Sequence, residues 1–270
     1  MTFRYLLPAL FLCGGGTFLY TGCGAVSGAV NNINFFSPAD DVQLGAQVAA
    51  EIASNPKEYP LLPESGNEEV YSYIRGLTNL LLNTGEVAYR DEFAWQVKLI
   101  DDDETLNAFA TPGGYIYVYT GLIKYLDTED ALLGVMGHEI AHAAQRHSTK
   151  QLSKAYGAQM LLAVATGRSE PGMIEQIALG LTSLRFGREA ESEADAYSVR
   201  YLCPTSYHAD GAAEFFKKIE QAGGARQPEF LSTHPNPGNR VRDITQLSNE
   251  LSCGGTDGDT AKYNRIKRLL

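Results

Sequence analysis

The sequence predicts an α+β fold, mainly helical around a small β-sheet. Apolar residues recur at helical spacing in most segments, as Val70, Ile74, Leu77 and Leu81 do. Only two short stretches, Phe93 to Ile100 and Tyr115 to Val118, carry the β-branched and aromatic residues that favour strands. The chain has 270 residues, 44% apolar and 20% charged, which suits one sizeable packed domain. Its formal net charge of -10 excludes a nucleic-acid partner, because phosphate binding needs a basic footprint.

The first residues read as an export signal. Arg4 precedes an apolar run through Leu6, Leu7, Leu10, Phe11 and Leu12, which Gly14, Gly15 and Gly16 interrupt before it could span a bilayer. The run closes on Leu19-Tyr20-Thr21-Gly22-Cys23, which resembles a bacterial lipobox, although Tyr20 replaces the usual Leu. The expected organisation is a signal peptide over residues 1–22, a tether lipidated at Cys23 over residues 23–37, and one domain over residues 38–270. The mature chain would be exported, held by the lipid at the periplasmic face of an outer membrane. Cys203 and Cys253 remain as an even pair in a compartment that permits disulfides, so a bridge between them is expected.

Ser37 is a cap residue ahead of Pro38, Asp40 and Asp41, so a helix is expected to start there and run to about Ser54. A second helix fits residues 67–83. The strand from Phe93 is followed by an Asp101-Asp102-Asp103 turn, then Asn107 to Val118, where Pro112-Gly113-Gly114 is a turn signal before the second strand. Asp127 and Thr128 can cap a helix running to about residue 150. Further helices fit residues 151–166, 171–184, 188–201, 210–221 and 238–251, with a long loop between the last two. Ala163 to Leu181 contains Arg168, Glu170, Pro171 and Glu175 and cannot cross a membrane.

His138-Glu139-Ile140-Ala141-His142 falls in the middle of the helix that begins at Thr128. Residues four apart share a helical face, so both imidazoles can reach one metal ion. Glu139 lies one step round, close enough to act on a water at that ion but not placed as a third ligand. A hydrolytic zinc needs three protein ligands and an open position. Downstream, Glu191 and Asp195 are four apart on one helical segment. One can bind the metal while the other orients a ligand imidazole; composition alone does not choose between Glu191 and its neighbours Glu189 and Glu193. Glu189 and Glu193 point elsewhere and are expected to be solvated. His147 is five residues beyond His142, about 140° round an unbroken helix, which favours a surface or outer-shell role. His208 reads as a loop residue.

Four blocks, Asn107 to Val118, His138 to His147, Arg188 to Asp195, and Ser232-Thr233-His234-Pro235 with Arg240 beyond, together resemble the gluzincin zinc metallopeptidases. That family includes the CAAX prenyl endopeptidases, HtpX and the β-barrel assembly-enhancing protease. The resemblance implies a zincin-like domain with one Zn2+ per chain held by His138, His142 and Glu191. It further implies that Asp195 supports a ligand histidine, that Glu139 is the general base, and that His234 helps stabilise the transition state. The Tyr115 to Val118 strand would be the sheet edge on which an extended substrate lies. The implied partners are unfolded or misassembled envelope polypeptides, and a client-binding assembly factor that cleaves rarely is the alternative. HtpX and the prenyl endopeptidases carry several membrane spans; none is expected here after the signal, nor is a helical repeat array.

Overall fold

The computed structural model describes residues 33–156, 163, 172–222, 228–235 and 238–270. The signal peptide, Cys23 and most of the tether lie outside the described residues. Asn34–Leu270 forms one compact unit. None of its described helices is long and apolar enough to cross a membrane.

The first helix, α1 (Pro38–Ser54), starts as its sequence predicts. Ser37 accepts from the Asp40 amide while the Asp40 carboxylate accepts from the Ser37 amide, so two orphan donors of the first turn are satisfied reciprocally. Next come α2 (Glu68–Leu82), β1 (Gln96–Ile100), β2 (Ala108–Thr111) and β3 (Tyr115–Tyr119). The strand expected from Phe93 thus starts at Gln96. A 3-10 turn, Pro112–Gly114, joins β2 to β3. Gly113 and Gly114 have φ of 73° and 84°, and a Cβ on Gly113 would sit 2.8 Å from the Asp41 carbonyl oxygen, so the turn requires both glycines.

The sheet order is β1-β3-β2, with β1 parallel and β2 antiparallel to β3. This corrects one expectation. Tyr115–Tyr119 is the central strand, because the hairpin through Pro112–Gly114 places β2 on its free side; the antiparallel edge is Ala108–Thr111. Alternation along β3 splits the core. Ile116 and Val118 join Val97, Leu99, Leu132, Met136 and Ile140 on one face, while Tyr117 packs with Phe109, Leu44, Val48 and Ile52 of α1 on the other.

A short helix, α3 (Thr120–Tyr125), leads to α4 (Glu129–Ala144), which Thr128 caps by accepting from the Ala131 amide. The helix expected to reach residue 150 stops at Ala144. Arg146 adopts a left-handed conformation, φ 58° and ψ 37°, and α5 (His147–Ala155) begins in a new direction. The start of the helix expected over residues 151–166 belongs to α5, and residues 157–162 and 164–171 lie outside the described residues. Then follow α6 (Met173–Thr182), α7 (Arg188–Leu202), α8 (Gly211–Gln221), the single turn α9 (Phe230–Thr233), α10 (Arg240–Glu250) and α11 (Thr260–Leu269). The loop expected to join α8 to the next long helix therefore contains a turn of helix at Phe230; its residues 223–227 and 236–237 are outside the described set.

Close approach of α4 to its neighbours positions the site. Gly134 lies so near α8 that a Cβ there would meet the Ala212 amide nitrogen at 2.1 Å. Gly137 faces Ser198 of α7, whose hydroxyl donates to the Gly134 carbonyl at 2.7 Å. Gly134 thus lets α8, and Gly137 lets α7, lie directly against α4. Cys203, after α7, and Cys253, after α10, are joined by a disulfide with Cα atoms 4.9 Å apart.

Candidate active site

His138 and His142 project from one face of α4, and Glu191 from the first turns of α7. All three are about 1% exposed. The Glu191 carboxylate lies 3.5 Å from Nε2 of both imidazoles. The same pocket receives His234, whose Nδ1 is 3.2 Å from His138 Nε2 and 3.1 Å from Glu191 Oε1. Its ring stacks on Phe230 at 4.3 Å between centroids, and the Phe230 amide donates to the Leu106 carbonyl just before β2, so the one-turn helix α9 fixes it from the sheet side. One donor atom from each of His138, His142, Glu191 and His234 lies within 4.8 Å of the others. The structure therefore brings together the three expected ligands and adds His234 to the same group of donors.

Asp195, one turn along α7 from Glu191, lies 2.9 Å from His138 Nδ1. Arg240 at the start of α10 closes the arrangement. Its Nε and Nη2 donate to the two Asp195 oxygens at 2.7 and 2.5 Å, its Nη1 is 3.0 Å from Glu191 Oε2, and its guanidinium covers the Phe216 ring. In the sequence Arg240 stands beyond a matching block with no role attached to it. The signal was a lone basic residue just past the Ser-x-His-Pro stretch, and only the crossing of α10 over α7 shows what it grips.

His147 takes the outer-shell alternative of its expectation rather than the surface one. It is 5% exposed, and its Nδ1 is 2.8 Å from His142 Nδ1, because the turn at Arg146 folds α5 back beneath α4. Glu193 is exposed but not free: its carboxylate is 3.1 Å from His147 Nε2. Glu189 is exposed on the far side of α7. His208 is a loop residue whose ring faces the exposed Asp257.

The electrostatics fit a divalent cation. Glu139, Glu191 and Asp195 bring three buried carboxyl groups against one buried guanidinium, Arg240, so the site draws in further positive charge, on an imidazole or as a cation. Glu139 Oε1 has no hydrogen-bond partner, and Glu191 Oε2 has its charged neighbour Arg240 but no aligned hydrogen bond. Burial alone would raise Glu191, but the adjacent His234 and the hydrogen bonds from His138, His142 and His234 outweigh it and hold the carboxyl far below the usual range. Burial would likewise depress His138, yet Asp195 and Glu191 draw a proton onto it and push it up to about 9. His142 has no such carboxylate pair, and burial keeps it neutral. Acids that pull positive charge inward, beside imidazoles held with free nitrogens, are the donor set of a zinc site.

The sequence profile of peptidase family M48 matches residues 73–248, well over half of the chain and spanning the four metal-donor residues, Glu139, Asp195 and Arg240. The chain belongs to peptidase family M48. M48 peptidases use zinc, and His138, His142, Glu191 and His234 are the residues that could hold it in this member. Among relatives, the mitochondrial metalloendopeptidase OMA1 of Schizosaccharomyces pombe is 26% identical over 253 residues, 90% of this chain and 72% of its own length. The β-barrel assembly-enhancing protease of Escherichia coli K12 is 31% identical over 168 residues, 57% of this chain. The OMA1 metalloendopeptidase of Arabidopsis thaliana is 28% identical over 161 residues. This M48 chain spans about a third of the length of the E. coli and Arabidopsis proteins, 34% and 33%.

Proposed function

We propose that this protein is a zinc-dependent endopeptidase that hydrolyses unfolded or misassembled polypeptides after export, tethered by a lipid on Cys23. The observation that carries the catalytic part is the convergence of His138, His142 and Glu191 beside a buried Glu139 oxygen that makes no hydrogen bond. When bound, zinc supplies Lewis acidity, polarising a carbonyl and acidifying water. Glu139 takes the proton of the attacking water on its carboxylate and returns it to the leaving amine. Burial raises the Glu139 carboxyl above its ordinary value, only partly offset by His234 and His138, which strengthens it as a base at neutral pH. Asp195 holds His138 through Nδ1 and so leaves Nε2 for the metal, and Arg240 fixes Asp195 from behind. His234 faces Glu139 at 3.5 Å and, turned toward a bound peptide, is placed to donate to the developing oxyanion. The antiparallel edge β2, whose four residues are all buried, would have to be uncovered before an extended peptide could add a strand to it.

The cellular part rests on sequence. The export signal, the lipobox-like run into Cys23 and a relative named for assisting β-barrel assembly support an envelope role facing the periplasm. A second reading, a client-binding factor that cleaves rarely, has one observation in its favour. His234 stands among the metal donors, so four protein groups could fill the corners of the site, one of which hydrolysis needs open. Cleavage of unfolded casein, with Glu139→Gln as control, separates the two. The peptidase reading expects casein fragments from the wild type alone; equal casein binding with no cleavage by either form favours the second. Membrane fractionation of Cys23→Ser tests the anchor, which is expected to release the protein into the soluble periplasmic fraction.

A further inference from the structure

An imidazole that binds a metal through Nε2 has a second nitrogen, and the partner of that nitrogen fixes the tautomer and aims the ring. For His138 the partner is the Asp195 carboxylate at 2.9 Å. For His142 it is another imidazole, His147, with the two Nδ1 atoms 2.8 Å apart, and His147 Nε2 lies 3.1 Å from the Glu193 carboxylate.

Two ring nitrogens at that distance share one proton. If His147 donated it, the His142 proton would sit on Nε2, aimed at His138 Nε2 only 2.9 Å away, and His142 would have no lone pair for a metal. If His142 donates it, Nε2 of His142 is free. His147 Nδ1 then accepts, the His147 proton is on Nε2, and Glu193 accepts that. One assignment satisfies every atom of the row. We propose that His147, with Glu193 behind it, is a positioning residue that locks His142 in its metal-binding tautomer, a carboxylate–imidazole–imidazole relay parallel to the direct Asp195–His138 contact.

The fold is arranged to deliver this contact. On an unbroken helix His147 would point about 140° away from His142. The left-handed Arg146 breaks the helix, and its guanidinium is tied to both Asp41 carboxylate oxygens and to the Phe36 carbonyl at 2.6 Å, so α1 pins the break. Phe186 then stacks on His142 at 4.1 Å between centroids and contacts the His147 ring, holding the two imidazoles in one packed row.

The inference rests on the zinc-site reading, and its test separates the two. Zinc affinity is measured on the full chain by competition with a chromophoric chelator, alongside the visible spectrum of the cobalt-substituted protein. His147→Leu is expected to weaken zinc binding 10- to 100-fold and to change the cobalt spectrum. His147→Asn places an amide oxygen where Nδ1 stood and is expected to restore most of the affinity. Glu193→Ala, at an exposed position where misfolding is not a concern, is expected to give a smaller loss in the same direction. Native affinity and an unchanged spectrum in both His147→Leu and Glu193→Ala would overturn the relay, as would equal losses in His147→Leu and His147→Asn with none in Glu193→Ala. A wild type that binds no zinc would instead overturn the metal site itself.

Discussion

Glu139 is the residue on which the proposed hydrolysis turns. Its carboxyl must be ionised to accept a proton, and burial raises its pKa above the usual 4.5. Ionisation is lost as pH falls through the raised value, so the acid limb of a kcat/KM profile should lie above pH 4.5, and a limb at or below that value would argue against Glu139 as the base. Glu139→Gln should lower kcat by about 10²- to 10⁴-fold while leaving zinc content unchanged. Asp195→Asn keeps the shape but weakens the charged acceptor for His138, and a chelator competition should read roughly 10- to 100-fold weaker zinc binding. At this scale the metal-binding pair and its base were legible in sequence, because both imidazoles sit on one α-helix whose geometry is fixed by spacing alone. Glu191 and Asp195 were legible as a pair, but resemblance was needed to order them. An outer-shell place for His147 was legible but its contact with His142 was not, and Arg240 had no role: these depend on a helix break and a helix crossing that no local pattern encodes.

At the scale of elements, the site depends on how closely α4 lies against α7 and α8. Gly134→Ala would drive a methyl into the Ala212 backbone, where there is no flexible side chain to give way. The expected cost is about 1–3 kcal/mol of stability, read from denaturant midpoints, as α8 is pushed off α4. An unchanged midpoint would show that the crossing is looser than described. The starts of α1 and α4 were readable because Ser37 and Thr128 satisfy first-turn amides locally. The end of α4 was not, because Gln145 and Arg146 are ordinary helix formers and the break is held from outside by Asp41. Strand existence was readable but strand order was not, since a hairpin can fold to either side of its partner. The terminal helix α11 escaped notice because its polar majority hides the two buried residues, Tyr263 and Ile266, that dock it.

For the molecule as a whole, the metal should stabilise the fold, since a cation bound to the folded site adds charge compensation to the buried carboxylates and cannot bind the unfolded chain in the same way. At free zinc about 100-fold above Kd the gain is roughly 2.7 kcal/mol, or about 5–10 °C in Tm for a domain of this size. Chelation should therefore lower the melting temperature by that order, and an unchanged transition would mean the apo site is already balanced. The most direct test of the metal centre is elemental analysis of the dialysed full-length chain and four variants. Close to one zinc per chain is expected in the wild type and in Glu139→Gln, and loss of it in His138→Ala, His142→Ala and Glu191→Ala. Full zinc retained by the Glu191→Ala protein would contradict that expectation.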